Sequence, residues 1–276
     1  MLMKKITLSL TLLALAAFSG TATIAPAQGM PTTQPQFMHM IRETVKPGRA
    51  GDHAKWEAGW PAAYEKAKSI YNYIALASIT GPQEVLYVTP LANQAAYADM
   101  LASEEKAGLG PELERLSRGD GEFLSDWNAL EAVAVPELSQ GAFPDIGKMR
   151  FYEITTFRIR PGHQDAWMSA TRAYKAATTR SAPLASWRTY AVVAGASEGT
   201  YLLFSSVGAF GEFDRMMAEG EATMKGATAD EMGVLGKFMK ESVINVSTNR
   251  YRLSPGQSYV NAETRAQDPA FWSPKK

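Results

Sequence analysis

Residues 37–48 read FMHMIRETVKPG, and residues 151–162 read FYEITTFRIRPG. Each is a β-rich run that ends in a Lys/Arg-Pro-Gly turn. Proline fixes φ there and glycine allows the reversal. The second stretch lies 114 residues after the first. The same offset brings His53 onto Trp167, Trp60 onto Tyr174, Tyr73 onto Trp187, Gly81 onto Gly195, Glu84 onto Glu198 and Tyr87 onto Tyr201. No gap is needed from residue 37 to residue 90. Few positions are identical, but the matches fall on turn residues and large aromatics. An old internal duplication accounts for this, and a repeat decides the architecture before any local reading does.

Each copy continues in the same order. His53, Trp56, Trp60 and Tyr64 recur at helical spacing after the first turn, as do Trp167, Ala170, Tyr174 and Ala177 after the second. Pro61 is expected to kink or split the first of these helices. Strand-like runs follow at 71–79 and 84–88, then at 186–193 and 200–205, joined by turns containing glycine. Further helical pieces are expected at 93–101, 111–116 and 121–128, and at 210–224 and 230–242. Each copy closes on a β-like run, at 129–135 and 243–253. The order βαββαβ is the ferredoxin-like split arrangement on a four-stranded antiparallel sheet. The fold class is therefore α+β. Two tandem ferredoxin-like modules occupy residues 37–139 and 148–259, and residues 260–276 form an irregular tail.

A sheet with helices on one face needs cover on its other face, and a second copy supplies it. Along the first strand, Phe37, His39, Ile41, Glu43 and Val45 point one way. Met38, Met40, Arg42 and Thr44 point the other way.

Ahead of the repeat, Lys4 and Lys5 precede an apolar run at 6–18 and the small-residue site Ala25-Pro26-Ala27. This pattern marks a signal peptide over 1–27, cleaved before Gln28. The run is short for a membrane span, which takes about 20 residues. Residues 28–36 (QGMPTTQPQ) read as a mobile linker. A periplasmic or secreted product is expected, without membrane attachment after cleavage. The absence of Cys suits an oxidising compartment. It also removes thiolate zinc sites, iron–sulfur clusters and Cys nucleophiles. With 28 Lys+Arg against 28 Asp+Glu, the chain lacks the basic footprint that nucleic-acid binding needs.

The strand exits Val45-Lys46-Pro47-Gly48 and Ile159-Arg160-Pro161-Gly162 resemble those of the dimeric α/β-barrel superfamily. So do the closing segments Pro136-Glu137-Leu138-Ser139 and Arg250-Tyr251-Arg252-Leu253-Ser254-Pro255. That group includes NIPSNAP, antibiotic-biosynthesis-monooxygenase and EthD-type modules. The resemblance implies that two sheets pair into a barrel. In one chain this gives a monomer acting as a pseudo-dimer, with a homo-oligomer as the alternative. Cofactorless monooxygenases and haem-degrading relatives place particular Asn, Trp and His residues around the substrate. No such set maps here, neither second helical region holds a His, and no cofactor is expected.

Candidate functional residues follow from chemistry and position. His39 and Glu153 hold equivalent places on the first strands. In a barrel both would face the lumen, where either could act as a general base. His53 and Glu57, four residues apart on a helix, could form one edge of a carboxylate–His metal site. His53 aligns with Trp167, however, which marks a packing position, and no metal is expected. Tyr and Trp offer apolar bulk with one polar handle, which suits pockets for apolar or aromatic ligands. The ligand-binding candidates are His39, His53, Trp60, Tyr73 and Tyr87 in the first copy. In the second they are Glu153, Tyr174, Trp187 and Tyr201. Gly195-Ala196-Ser197-Glu198-Gly199 matches G-x-S-x-G, but it joins two strand runs and the last His, His163, lies upstream. It reads as a hairpin loop and not a nucleophile elbow. Three functions remain. The first is an exported protein that binds a small apolar or aromatic molecule in a barrel or sheet–helix cavity. The second is a cofactorless monooxygenase or isomerase on the same scaffold. The third is a structural or partner-binding protein with a filled barrel.

Overall fold

Alternating side chains and the Pro-Gly turn make residues 37–45 a strand, and the chain builds outward from it. The computed structural model describes residues 29–273, so the expected signal peptide at 1–27 lies outside them. The first half runs β1 (Phe37–Val45), α1 (Ala50–Glu57), α2 (Gly59–Ala67), β2 (Ile74–Ser78), β3 (Glu84–Leu91), α3 (Gln94–Lys106), α4 (Gly110–Asp120) and β4 (Leu124–Ala134). The second half runs β5 (Phe151–Ile159), α5 (Gln164–Ser181), β6 (Arg188–Ala194), β7 (Thr200–Val207), α6 (Glu212–Gly226), α7 (Ala229–Glu241) and β8 (Val243–Leu253). Two short helices, α8 (Ala262–Gln267) and α9 (Pro269–Trp272), end the described chain.

The eight strands close into one antiparallel barrel in the order β1-β3-β2-β8-β5-β7-β6-β4. Each half contributes four neighbouring strands in the same internal order. The halves join where Leu76 of β2 faces Leu253 of β8, and where Val133 of β4 faces Ala191 of β6. The chain thus has the dimeric α/β-barrel fold within a single polypeptide. Matching irregularities mark the two first strands: the register slips after Thr44 in β1 and after Arg158 in β5.

The lumen is filled. Met38, Met40, Leu86, Leu130, Tyr152, Ile154, Leu202 and Tyr251 are buried there as one apolar core. Each such side chain stabilises the fold by about 1.5–3 kcal/mol on burial. Arg42 meets Glu84 at 3.4 Å, and the Tyr251 hydroxyl donates to Glu84 Oε1 at 2.6 Å. Only about 70 Å³ of space remains near the barrel end beside Met30, Phe143 and Tyr190.

The structure departs from the sequence expectations at four places. Residues 29–36 are not a free linker. Gln34 Nε2 donates to Thr189 O at 2.9 Å, Ser139 Oγ donates to Gln34 Oε1 at 2.8 Å, and Met30 packs on the lumen core. The tail is not irregular throughout: α8 and α9 form in it, and Trp272 is buried with its Nε1 donating to Gly147 O at 3.0 Å. Both segments cover apolar side chains that would otherwise meet water. Residues 124–128, expected to be helical, open the long strand β4.

The fourth departure concerns the alignment of the halves. Glu43 faces Val85 and Ile41 faces Tyr87, whereas Phe157 faces Tyr201. Phe157 corresponds to Glu43 on the first strands, so Tyr201 takes the place of Val85 and not of Tyr87. The gapless match is therefore corrected by two residues, which fall in the longer β6–β7 hairpin. At Gly195 in that hairpin φ is +81°, and a Cβ would lie 2.0 Å from Ala129 O. Only glycine lets this turn cross β4.

Candidate functional site

The first half leaves a gap between its sheet and its helices. Helix α3 buries none of its side chains, and the helix following β1 is broken at Ala58 into α1 and α2. Together they roof a cavity of about 830 Å³ over the outer face of β1, β3 and β4. Trp60, Tyr64, Tyr73, Tyr87 and Tyr97 supply aromatic walls, and Met100 and Leu113 add apolar surface. His39 from β1 stacks on Tyr97 of α3, with ring centroids 4.6 Å apart. Trp127 stands at the rim, 56% exposed.

Six carboxylates line this space (Glu43, Glu57, Glu104, Glu114, Asp120 and Asp126), and no Lys or Arg lines it among the described residues. Trp60 Nε1, the Tyr73 hydroxyl and His39 Nδ1 are buried without a hydrogen-bond partner. Buried polar atoms of this kind call for an explanation, because leaving them unpaired costs free energy.

At one end of the cavity lies a cluster built from three elements. Glu43 comes from β1, His53 and Glu57 from successive turns of α1, and Asp120 from the last turn of α4. All four are buried, at 6%, 1%, 3% and 3% exposure. His53 Nε2 lies 3.0 Å from Glu43 Oε2 and 3.4 Å from Asp120 Oδ1. One donor atom from each of the four fits within 4.8 Å of the others. Helix α4 is held in place by Trp56, whose Nε1 donates to Leu116 O at 2.8 Å. A Cβ at Gly119 would meet the Trp56 ring at 2.0 Å, so glycine permits this approach.

Burial dominates the electrostatics. It pushes Glu43 up to about 8, with Asp120 adding to the rise, and Glu57 up to about 9, with Glu43 and Asp120 adding. The Tyr87 hydroxyl pulls both the other way. Burial raises Asp120 as well, against the attraction of His53. Burial lowers His53 and His39, opposed by Asp120 and Glu131 respectively. Closely spaced carboxyls in a dry site share protons, as catalytic carboxylate sites do.

The second half has no equal of this site. Its sheet–helix gap measures about 200 Å³ and is lined by Glu153, Tyr174, Trp187 and Arg250, among others. Glu153 accepts from Arg250 Nε at 2.8 Å, and the Tyr174 and Trp187 rings pack 5.7 Å apart. Where the first half places Glu43, His53 and Glu57, the second places Phe157, Trp167 and Thr171. Trp167 packs on Phe157 at 4.9 Å and on Tyr201 at 4.6 Å.

Of the sequence candidates, His39, Trp60, Tyr73 and Tyr87 line the large cavity, and His53 joins the cluster at its end. Glu153, Tyr174 and Trp187 line the small cavity, while the half-buried Tyr201 stacks on Trp167. The expected lumenal positions of His39 and Glu153 are corrected. Both face the helices, because the alternate residues Met38, Met40, Tyr152 and Ile154 fill the lumen. Glu43, Asp120 and Tyr97 escaped the sequence reading. Only His53–Glu57 carried a spacing signal, and the expectation of no metal did not anticipate partners from β1 and α4.

No family model matches the chain, and no curated protein matches it. Similarity appears among solved structures. A candidate monooxygenase from Fusobacterium nucleatum aligns with a TM-score of 0.51 at 8% identity, over 79% of this chain and 92% of the other. An anthrone oxidase-like protein aligns with a TM-score of 0.50 at 10% identity, over 82% and 94%. Likeness at this level concerns the fold, the dimeric α/β-barrel already described.

Proposed function

We propose that this is an exported small-molecule protein, built by tandem duplication of a NIPSNAP- or monooxygenase-like module, whose first half alone holds the ligand. One observation carries the reading: the cavity of about 830 Å³ between the first sheet and its helices, against about 200 Å³ in the second half. Volumes of 300–1,000 Å³ lined by aromatics with a few polar groups are typical of ligand pockets. The lining sets the chemistry. Six carboxyls and no lining Lys or Arg leave an anion without a cationic partner, so the ligand is neutral or cationic with an aromatic or apolar body. Trp60 Nε1 and the Tyr73 hydroxyl would donate to an oxygen or nitrogen acceptor on it.

A second reading, a cofactorless monooxygenase or isomerase in the same cavity, has His39 as its base. The unpartnered Nδ1 of His39 favours it. The descriptions of the structural neighbours, a candidate monooxygenase and an anthrone oxidase-like protein, are consistent with it. The lumen plays no part in either reading, since side chains fill it.

The test is a tryptophan-fluorescence titration with neutral, cationic and anionic aromatic compounds of one to three rings. Saturable quenching by neutral or cationic members, lost in Trp60→Ala, supports the reading. Binding of anions alone, or binding unaffected by Trp60→Ala, overturns it.

A further inference from the structure

We propose that Glu43, His53, Glu57 and Asp120 are the ligands of one divalent transition-metal ion, of the Mn²⁺, Fe²⁺ or Zn²⁺ kind, at the end of the first-half cavity. The proposal goes beyond the ligand reading and departs from the cofactor-free alternative.

Geometry comes first. Ligand atoms about 2.0–2.2 Å from a common ion lie at most about 4.4 Å apart. The four donor atoms here lie within 4.8 Å of one another, so small side-chain adjustments suffice. They project from a strand and two helices rather than from loops, which gives a preorganised first shell.

Charge comes second. Three carboxylates are buried together, and among the described residues none makes an ion pair with Lys or Arg. The neighbouring basic group is the His53 imidazole. Buried charges in proteins are paired or coordinate metals. A divalent ion is the positive partner that would hold all three in their ionised form.

Unpartnered atoms come third. Glu57 Oε1 is buried and has no hydrogen-bond partner, and Asp120 Oδ1 has only the 3.4 Å contact with His53 Nε2. Each residue is about 97% buried, so solvent does not stand in. A metal–oxygen bond satisfies both atoms at once.

The second half supplies an internal control. The same places there carry Phe157, Trp167 and Thr171, which pack as ordinary core. The barrel fold therefore does not require a polar cluster at this position. An outer shell is also in place. The Tyr87 hydroxyl lies beside Glu43 and Glu57 and accepts from Gln257 Nε2 at 3.3 Å, an arrangement that orients ligating carboxylates. The donor set decides the class of ion. One imidazole and three carboxylates suit Mn²⁺, Fe²⁺ or Zn²⁺, and the absence of thiolate or thioether disfavours Cu⁺. Glu43, Glu57 and Asp120 all line the cavity, so the ion would enter from it and stand within reach of a bound small molecule.

The test uses the full exported protein, stripped with chelator and dialysed. Mn²⁺ and Zn²⁺ are titrated calorimetrically, uptake is counted by elemental mass spectrometry, and thermal unfolding is followed with and without each ion. The expected result is one equivalent of ion per chain and a Tm that rises with ion concentration. Glu57→Gln and Asp120→Asn should each weaken binding by at least tenfold. Neither should lower the metal-free Tm, because each amide keeps the size and hydrogen-bonding capacity of the carboxyl it replaces. Glu112→Gln, on the exposed side of α4, should bind as the parent does. Mn²⁺ spin resonance on the parent gives a second readout should either cluster variant fail to fold. No uptake by the parent overturns the proposal, and so does equal binding by the parent and both cluster variants. Ligand titrations on the stripped protein are separate, so failure of the metal site and failure of the cavity reading are distinguishable.

Discussion

His53 on α1 and Trp167 on α5 hold the same place in the two halves of the barrel, each almost sealed from solvent, at 1% and 2% exposure. Around Trp167 the neighbours are Phe157, Tyr201 and Phe238, an aromatic cluster. Around His53 they are Glu43 and Asp120. One scaffold position thus supports an aromatic core in one half and a buried polar cluster in the other.

That division has a direct consequence for two tryptophans. Trp167→Ala should destabilise the protein by about 3–5 kcal/mol, the usual cost of truncating a fully buried tryptophan. Trp60→Ala, on a cavity wall, should cost under about 2 kcal/mol yet remove ligand binding. Urea unfolding of both variants checks the order. A larger loss for Trp60→Ala would place the structural core in the wrong half.

In the lumen, Tyr251 of β8 donates to Glu84 of β3, tying the second half to the first. Tyr251→Phe leaves a buried carboxylate short of a donor, which costs about 1–3 kcal/mol. Arg42, at 3.4 Å, keeps part of the compensation. Cavity binding should not change. Chemical denaturation and the ligand titration, run on the same variant, test both halves of this expectation.

The pH dependence of stability should carry a signature of His39. Burial holds this imidazole below its ordinary value of 6.5, opposed by Glu131 across the β1–β4 ladder. Tyr97 on α3 stacks on the ring and Thr89 faces it from β3. The folded state therefore prefers the neutral ring, and the unfolded chain takes up the proton first as pH falls. By linkage, this contribution is complete above pH 6.5 and declines as pH drops from there through the folded-state value. Unfolding free energies measured from pH 7.5 to pH 5 should fall less steeply in His39→Gln than in the parent. A steeper fall in the variant would reverse the assignment.

The G-x-S-x-G segment separates structure from chemistry in one experiment. Gly195→Ala places a methyl 2.0 Å from Ala129 O at φ +81°, and should cost more than about 1 kcal/mol. Ser197→Ala, in the same loop, should leave stability and any turnover unchanged. Loss of an activity in Ser197→Ala with stability intact would revive a nucleophile there.

Much of the fold was legible because it rests on short-range rules. The Pro-Gly turns after β1 and β5, the alternating strands and the helical spacing around Trp60 and Trp167 all act within a dozen residues. The two-residue slip between β3 and β7 was not legible. Glu84, Tyr87, Glu198 and Tyr201 happen to match in type, and only strand pairing shows that their places differ. The side to which His39 and Glu153 point was also hidden. Alternation separates two faces without naming the lumen, and Met38 and Met40 settle it only once the barrel is closed. The carboxylate cluster was half visible. His53 and Glu57 share one helix, but Glu43 and Asp120 reach them through tertiary packing, which leaves no periodic trace.

The central claim is that the first-half cavity alone holds the ligand. Native mass spectrometry of the protein purified without added compounds tests it most directly. The parent should appear as a monomer carrying one extra small-molecule mass, absent from Trp60→Ala and retained in Tyr174→Phe of the second half. A bare parent at every protein concentration, or an adduct lost from Tyr174→Phe and kept by Trp60→Ala, would contradict it.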